Sequence, residues 1–284
     1  MAPSILLQYL LPHRLLSRIV FKATRWTWKP WKNLLIRQIT QRFKVNLDEA
    51  AEPNVDAYVH FNAFFTRALK AGARPIDTDP ATLLCPADGH ISQSGPIRAG
   101  RIFQAKGQDF TAAELLGDDA TALPYAEGQF ITVYLSPRDY HRVHMPLDGS
   151  LISTAHIPGR IFSVAPKAVE SIPRLFARNE RLVCHFQGEH GPFAMVLVGA
   201  MLVSSVSTVW ADLEIPPYAS KIRTKSYGDR DIRLKRGEEM GRFNMGSTVI
   251  LLLPADGSTL DSGLLAEQAV RVGQTIGRAR PAES

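Results

Sequence analysis

Only two cysteines, Cys85 and Cys184, occur in 284 residues, and no CxxC pair is present. That excludes a disulfide-stapled scaffold and fits a reducing compartment, so no disulfide is expected. Internal repeats and low-complexity segments are also lacking. No acidic residue precedes Asp48, whereas nine basic residues do, more than the net charge of +6 carried by the whole chain. The positive field therefore belongs to one end of the molecule. A cleaved signal peptide is not expected, because Pro12 and Arg14 interrupt the apolar start and no small-x-small site follows. With 45% apolar residues and charges of both signs, the chain reads as globular, one β-rich domain with a helical appendage.

Within the basic end, Leu15, Leu16, Ile19, Val20 and Ala23 recur at helical spacing while Arg14, Arg18 and Lys22 follow four apart on another face. Trp26, Trp28 and Trp31 come next with Lys29 and Lys32, and Leu35, Ile39 and Phe43 mark a second apolar face beyond Pro30. Tryptophan beside lysine suits the headgroup layer of a bilayer, which makes this an amphipathic segment for an anionic membrane surface. A helical hairpin packed on the body and a phosphate-binding basic stripe are the competing readings. "YVHFNAFFTRAL", Tyr58 to Leu69, reads as one more helix, ended by "RPIDTDP".

From about residue 76 the character changes to short runs such as "QFITVYL", "RLVCHF" and "STVILLL", rich in β-branched and aromatic residues and separated by Gly, Pro or Asp. The expected fold is α+β: a mainly β catalytic body, sandwich- or barrel-like, over 76–284, preceded by the helical region 1–75. "FAMVLVGAMLVSSVSTVW", Phe193 to Trp210, has no charge and nearly the length of a membrane span, but Gly199 and its many valines and serines fit two buried strands better.

Three stretches can carry chemistry. In "CPADGHIS", Pro86 and Gly89 bracket Asp88 in a turn. In "SPRDYHRVHMP", His141 and His144 sit three apart after a strand; zinc would need a third ligand that the sequence does not offer nearby, and structural or acid–base roles remain open. In "FNMGSTVILLLP", Gly246-Ser247-Thr248 stands at the mouth of an apolar strand. Asp88, His144 and Ser247 can form a nucleophilic triad, yet Ser247 lacks the G-x-S-x-G elbow of lipase-like hydrolases. A membrane-associated serine hydrolase and a non-enzymatic lipid-binding β-sandwich are the alternatives.

"PADGHIS", "YHRVHMP", "FARNER" and "MGRFNMGSTVI", together with "FNAFFTR", "RPIDTDP", "QAKG", "LVGA" and "TVWA" in that framework, resemble the bacterial phosphatidylserine decarboxylases made as proenzymes. The family's cleavage motif reads Leu-Gly-Ser-Thr; here Met245 stands for the leucine, a change of little volume.

The resemblance implies cleavage between Gly246 and Ser247, giving a beta chain of residues 1–246 and an alpha chain of 247–284 whose first residue becomes a pyruvoyl group. Asp88 is then expected to orient His144, His144 to deprotonate Ser247, and Gly246 to offer its carbonyl in a backbone free to strain. The pyruvoyl ketone would bind the substrate amine as a Schiff base, with His141 as proton donor after decarboxylation. The implied cofactor is the pyruvoyl group alone, without metal or pyridoxal phosphate. The implied partners are phosphatidylserine in an anionic membrane, the two chains with each other and a second copy of that pair, but not nucleic acid. The implied location is the cytoplasmic face of an inner membrane, held peripherally.

Overall fold

The apolar run after Gly246 forms the strand Ser247–Leu253, buried at every position. Its setting is given by a computed structural model that describes residues 8–9, 11–200, 205–216, 220–244 and 246–280. Met245, residues 201–204 of the long uncharged stretch and the first seven residues lie outside the described residues.

Ser247–Leu253 pairs antiparallel with Gln129–Leu135 on one side and Gly191–Val198 on the other. It is an interior strand of a nine-stranded sheet that continues from Gly191–Val198 through Arg181–Gly188 and Gly149–Ile157 to the edge strand Arg223–Ser226. On the other side it runs through Gln129–Leu135 and Gly89–Pro96 to Ala269–Val270. Both edges are open, so the sheet is not closed into a barrel and the body is sandwich-like.

The alternation of a strand sends Val249, Leu251 and Leu253 into one core and Ile250 and Leu252 into another. Two three-stranded sheets cover the first face: Thr82–Leu84 with Thr275–Ala279 and Ser258–Leu260, and Val206–Thr208 with Glu239–Phe243 and Arg142–His144. Helical turns and the Arg101–Ala105/Gln108–Thr111 hairpin cover the second, through Phe110, Leu115 and Phe176. Burial on both faces explains why these strands read as continuous apolar runs rather than alternating ones. Within Phe193 to Trp210, the described residues form the strands Gly191–Val198 and Val206–Thr208, as the serines and valines suggest.

The basic end forms two helices, α1 (His13–Thr24) and α2 (Lys29–Phe43). Trp31 Nε1 donates to the Ala23 carbonyl and fixes the turn between them. Lys32 is buried with its ammonium donating to the carbonyls of Val55, Asp56 and Tyr58, which ties α2 to the following loop. Ile36 packs with Phe61, Phe64 and Phe65 in a third small core.

The helix expected from Tyr58 to Leu69 is shorter: α3 spans only Phe61–Phe65, capped by the His60 ring. It stops because residues 68–70 pair instead with 49–51, Ala51 N–H donating to Ala68 and Lys70 N–H to Glu49. That extended pairing competes with helix continuation. Cys85 and Cys184 are buried free thiols.

Asn179, in the "FARNER" stretch, is fully buried and makes three side-chain bonds, to the N–H and carbonyl of Phe162 and the carbonyl of Gly199. Asn179→Ala leaves those groups unpaired in a dry core. Denaturant unfolding should show a loss of about 2–4 kcal/mol with an unchanged m-value; a loss below about 0.5 kcal/mol would show that water replaces the side chain.

Candidate active site

Ser247 heads the central strand, in register with Leu135, and its hydroxyl is completely buried with no hydrogen-bond partner among the described residues. A buried polar group usually finds a partner, so an orphaned hydroxyl at a strand mouth points to a reacting atom. The chain just before it is clamped. Phe243 N–H donates to the His141 carbonyl at 3.0 Å, and Asn244 N–H to the Ser205 carbonyl at 2.9 Å. The Asn244 side chain donates to the hydroxyls of Ser205 and Ser207 and accepts from the buried Asn62 amide.

A Cβ at Gly246 would meet only ordinary contacts, 3.5 Å from the Leu135 carbonyl oxygen and 3.6 Å from His141 Nε2, so both groups neighbour the residue ahead of Ser247.

His141 is wholly buried, its ring 4.1 Å from that of Phe65. Its Nδ1 lies 2.8 Å from the Asp139 carbonyl oxygen, which can only accept, so Nδ1 carries the proton and Nε2 keeps a bare lone pair. No described group bonds that Nε2. Burial pulls the His141 pKa down to about 3, with the neighbouring Arg67 charge acting the same way against the hydrogen bond. The ring is neutral at physiological pH.

His144 ends the strand Arg142–His144, its N–H bonded to the Pro86 carbonyl. The extended backbone, rather than the helical turn that HxxH spacing can form, turns residues three apart to opposite faces. Its Nδ1 donates to the Gly237 carbonyl at 2.7 Å, so Nε2 is again the basic nitrogen, and it accepts from the Tyr140 hydroxyl at 3.1 Å. Burial lowers the His144 pKa and pushes Tyr140 up to about 12, which keeps the phenol a neutral donor.

Asp88 is buried at the same end of the sheet, just before the Gly89–Pro96 strand, and His90 of that strand pairs with Tyr134, the partner of Thr248. Gly89 is required there: at φ +155°, a Cβ would sit 2.1 Å from the Tyr134 carbonyl oxygen. The Asp88 carboxylate accepts from the Arg74 guanidinium and from Val272 N–H at 2.8 Å. Arg74 also pairs with Glu49 at 2.8 Å.

The fold thus gathers Asp88, His141, His144, Gly246 and Ser247 at one end of the sheet, with His141 Nε2 a neighbour of Gly246. Among the described residues no hydrogen bond joins Asp88 to His144 or His144 to Ser247, and each of those side chains except Ser247 is held by another partner. Sequence reasoning missed Arg74, Tyr140 and the Asn62–Asn244 pair. Tyr140 lay inside the quoted histidine motif, whereas Arg74 and Asn62 reach their partners only through the fold. Among the described residues no three His, Cys, Asp or Glu side chains converge as metal ligands.

A histidine held neutral by burial but protonated at about pH 6.5 when unfolded makes the unfolded state bind more protons between those values. Its contribution is present above pH 6.5 and is lost as pH falls from 6.5 toward about 3. In the Ser247→Ala background, unfolding free energy measured from pH 7 to pH 4 should fall with a slope that His141→Gln reduces by about 1.4 kcal/mol per pH unit. Parallel curves for the two proteins would show that His141 titrates normally.

A family model described as phosphatidylserine decarboxylase matches residues 61–278, and a second, described as PSD, matches residues 3–44. The chain is 59% identical over 273 residues to a phosphatidylserine decarboxylase proenzyme of Xanthomonas axonopodis pv. citri, covering 96% of this chain and 97% of the relative. It is 60% identical over 273 residues to the proenzyme of Xanthomonas oryzae pv. oryzae, covering 96% of each. A Xylella fastidiosa proenzyme is 59% identical over 270 residues, covering 95% of this chain and 92% of the relative. With a family model matching most of the chain and relatives this similar over nearly its full length, this chain is a member of the phosphatidylserine decarboxylase family.

Proposed function

We propose that the chain cuts itself between Gly246 and Ser247 and then converts phosphatidylserine to phosphatidylethanolamine and carbon dioxide. The observation that carries this is the buried Ser247 hydroxyl, without a partner among the described residues, at the mouth of the central strand. In the first step Ser247 Oγ attacks the Gly246 carbonyl carbon, its proton passes to a histidine Nε2, and the peptide nitrogen leaves as the free amine of an ester. Loss of the Ser247 α-proton breaks the Cβ–Oγ bond and releases Gly246 as a carboxylate. Water then replaces the nitrogen of the remaining enamine, which departs as ammonia, and residue 247 is left as a pyruvoyl group.

The residues present fit that group: Ser247 is buried, and its pairing with Leu135 fixes the strand from which the group would project. A ketone at that point supplies an electron sink for an amine that bears a carboxylate. The Asp88–His144–Ser247 arrangement follows the resemblance, and the tautomer set by Gly237 gives His144 the basic Nε2 it needs. To take the serine proton, that nitrogen exchanges the Tyr140 hydroxyl for that of Ser247. His141 takes its role from the resemblance: its Nε2, without a partner among the described residues, can take up the proton that the substrate ammonium gives up and return it to the substrate carbon.

The membrane reading draws on an inverted helix. α1 buries His13, Ser17 and Thr24 while Leu15 and Ile19 are more than half exposed, and Trp26 and Trp28 are exposed beyond it. Apolar side chains facing outward beside exposed Arg18 and Lys22 suit an interface rich in anionic lipid. No helix of the described residues is long and apolar enough to cross a membrane. Peripheral attachment at the cytoplasmic face, and dimers of the cut pair, complete the proposal.

Intact mass tests the first claim. Wild type should give two chains, 1–246 and 247–284, the smaller blocked at its terminus; one unbroken, active chain that reacts with a serine-directed phosphonate would establish a hydrolase instead. His144→Ala should abolish cutting, while His141→Ala should cut and lose at least about a hundredfold in decarboxylation; the opposite pattern exchanges their roles. Leu15→Ser/Ile19→Ser/Trp28→Ser should release the protein from phosphatidylserine vesicles in a flotation assay. Retained binding would place the contact elsewhere.

A further inference from the structure

At the sheet end that holds Asp88 and Tyr140, a cavity of about 240 Å³ opens between the N-terminal region and the body. Two of its cations are neutralised: Arg74 by Asp88 and Glu49, and Arg271 by Glu49 at 3.5 Å. Asp139 accepts from the Ser136 N–H and hydroxyl, both at 2.7 Å, and only grazes Arg138 at 3.6 Å. The carboxylates of the cavity are therefore engaged, and Lys44 and Arg67 are left without one among the described residues.

Arg67 is the unusual member. It is 4% exposed, yet of its five N–H donors only one group is used, Nη2 to the Arg138 carbonyl at 3.2 Å, and Nε has no partner. Its remaining contact is with the Phe64 ring, 5.4 Å from the centroid. A desolvated guanidinium without a counterion is costly unless an anion completes it, and its planar fork matches the oxygens of phosphate or carboxylate. Lys44 is delivered to the same cavity by the end of α2, where its backbone turns left-handed at φ 55°.

A second cavity of about 380 Å³ shares Lys44, His90 and Arg138 with the first. Its other walls include Phe43, Ile91, Val164 and Val169, with Arg42 and Glu267 also lining it, so a cavity with an apolar wall adjoins a cationic one. Tyr134 and Ser136 line it too, flanking Leu135, the register partner of Ser247.

We propose that Lys44 and Arg67, with Arg138 at the rim, bind the phosphate ester of an amphiphile whose apolar part enters the adjoining cavity. The choice of lipid probe rests on the decarboxylase reading; the anion site itself does not. A phosphate ester can come from a lipid headgroup or from a small soluble phosphate, and the test separates the two.

Wild type, Lys44→Gln/Arg138→Gln and Arg67→Gln would be assayed for chain cutting by mass and for decarboxylation of phosphatidylserine in neutral detergent micelles. Lys221→Gln/Arg223→Gln removes the same charge at exposed positions away from the cavity and serves as control. Both cavity variants should still cut, with KM raised about tenfold or more and kcat within about threefold. The control should match wild type. If wild type neither cuts nor decarboxylates, the decarboxylase reading fails; if it does both and the double variant, which alters only side chains at the surface, keeps the wild-type KM, the anion site is refuted.

The second arm uses the uncut Ser247→Ala chain and phosphorus NMR line broadening of glycerophosphoserine and of inorganic phosphate. Broadening of glycerophosphoserine alone assigns the site to a headgroup, and equal broadening of both assigns it to phosphate in general. Either must disappear in the Lys44→Gln/Arg138→Gln background. Broadening that persists there, or is absent throughout, overturns the proposal.

Discussion

The register of one interior strand fixes everything else at the candidate site. Ser247–Leu253 is bonded on both edges and packed on both faces, so its first residue cannot shift without breaking two ladders and two cores. A hydroxyl placed by such a strand is positioned far more narrowly than one on a loop. The residues ahead of it are held differently, by the His141 carbonyl, Ser205 and the Asn62–Asn244 pair. The peptide between Gly246 and Ser247 thus joins two separately anchored segments.

Around that peptide the electrostatics are arranged by carbonyl groups more than by carboxylates. Asp139 and Gly237 each offer a main-chain oxygen to an Nδ1–H, and this alone settles the tautomer of both histidines. Burial then keeps the rings uncharged. Asp88, expected to orient His144, is engaged by Arg74 and Val272 and acts on His144 from a distance. The distinction between the two imidazoles is what occupies Nε2: nothing for His141, a phenol for His144.

Much of this was legible in the sequence because it is local. The period of α1, the second apolar face beyond Pro30, and the apolar runs of the sheet follow from side-chain pattern, and the motifs around Asp88, His141, His144 and Ser247 stand out by composition. What was not legible depends on distant pairing. The helix from Tyr58 was overread because nothing in "FNAFFTRAL" announces that residues 68–70 will pair with 49–51. The need for glycine at position 89 was not legible either, because it arises from the Tyr134 carbonyl, far along the chain. The outward-facing leucine and tryptophans of the N-terminal helices carry the same lesson: periodicity finds an apolar face, but only the fold says whether protein covers it.

The placement of the serine on an interior strand also bears on what a break there would leave behind. Residues 247–280 supply not only that strand but also Ala269–Val270 and Thr275–Ala279, each paired with a strand of the longer segment, and Ser258–Leu260, which pairs with Thr275–Ala279. A nick ahead of Ser247 would therefore sever the polypeptide without loosening the object, and the shorter piece could leave only if the whole sheet came apart. Two products of scission would behave in solution as one inseparable particle, with the fresh terminus locked in the interior where it was made.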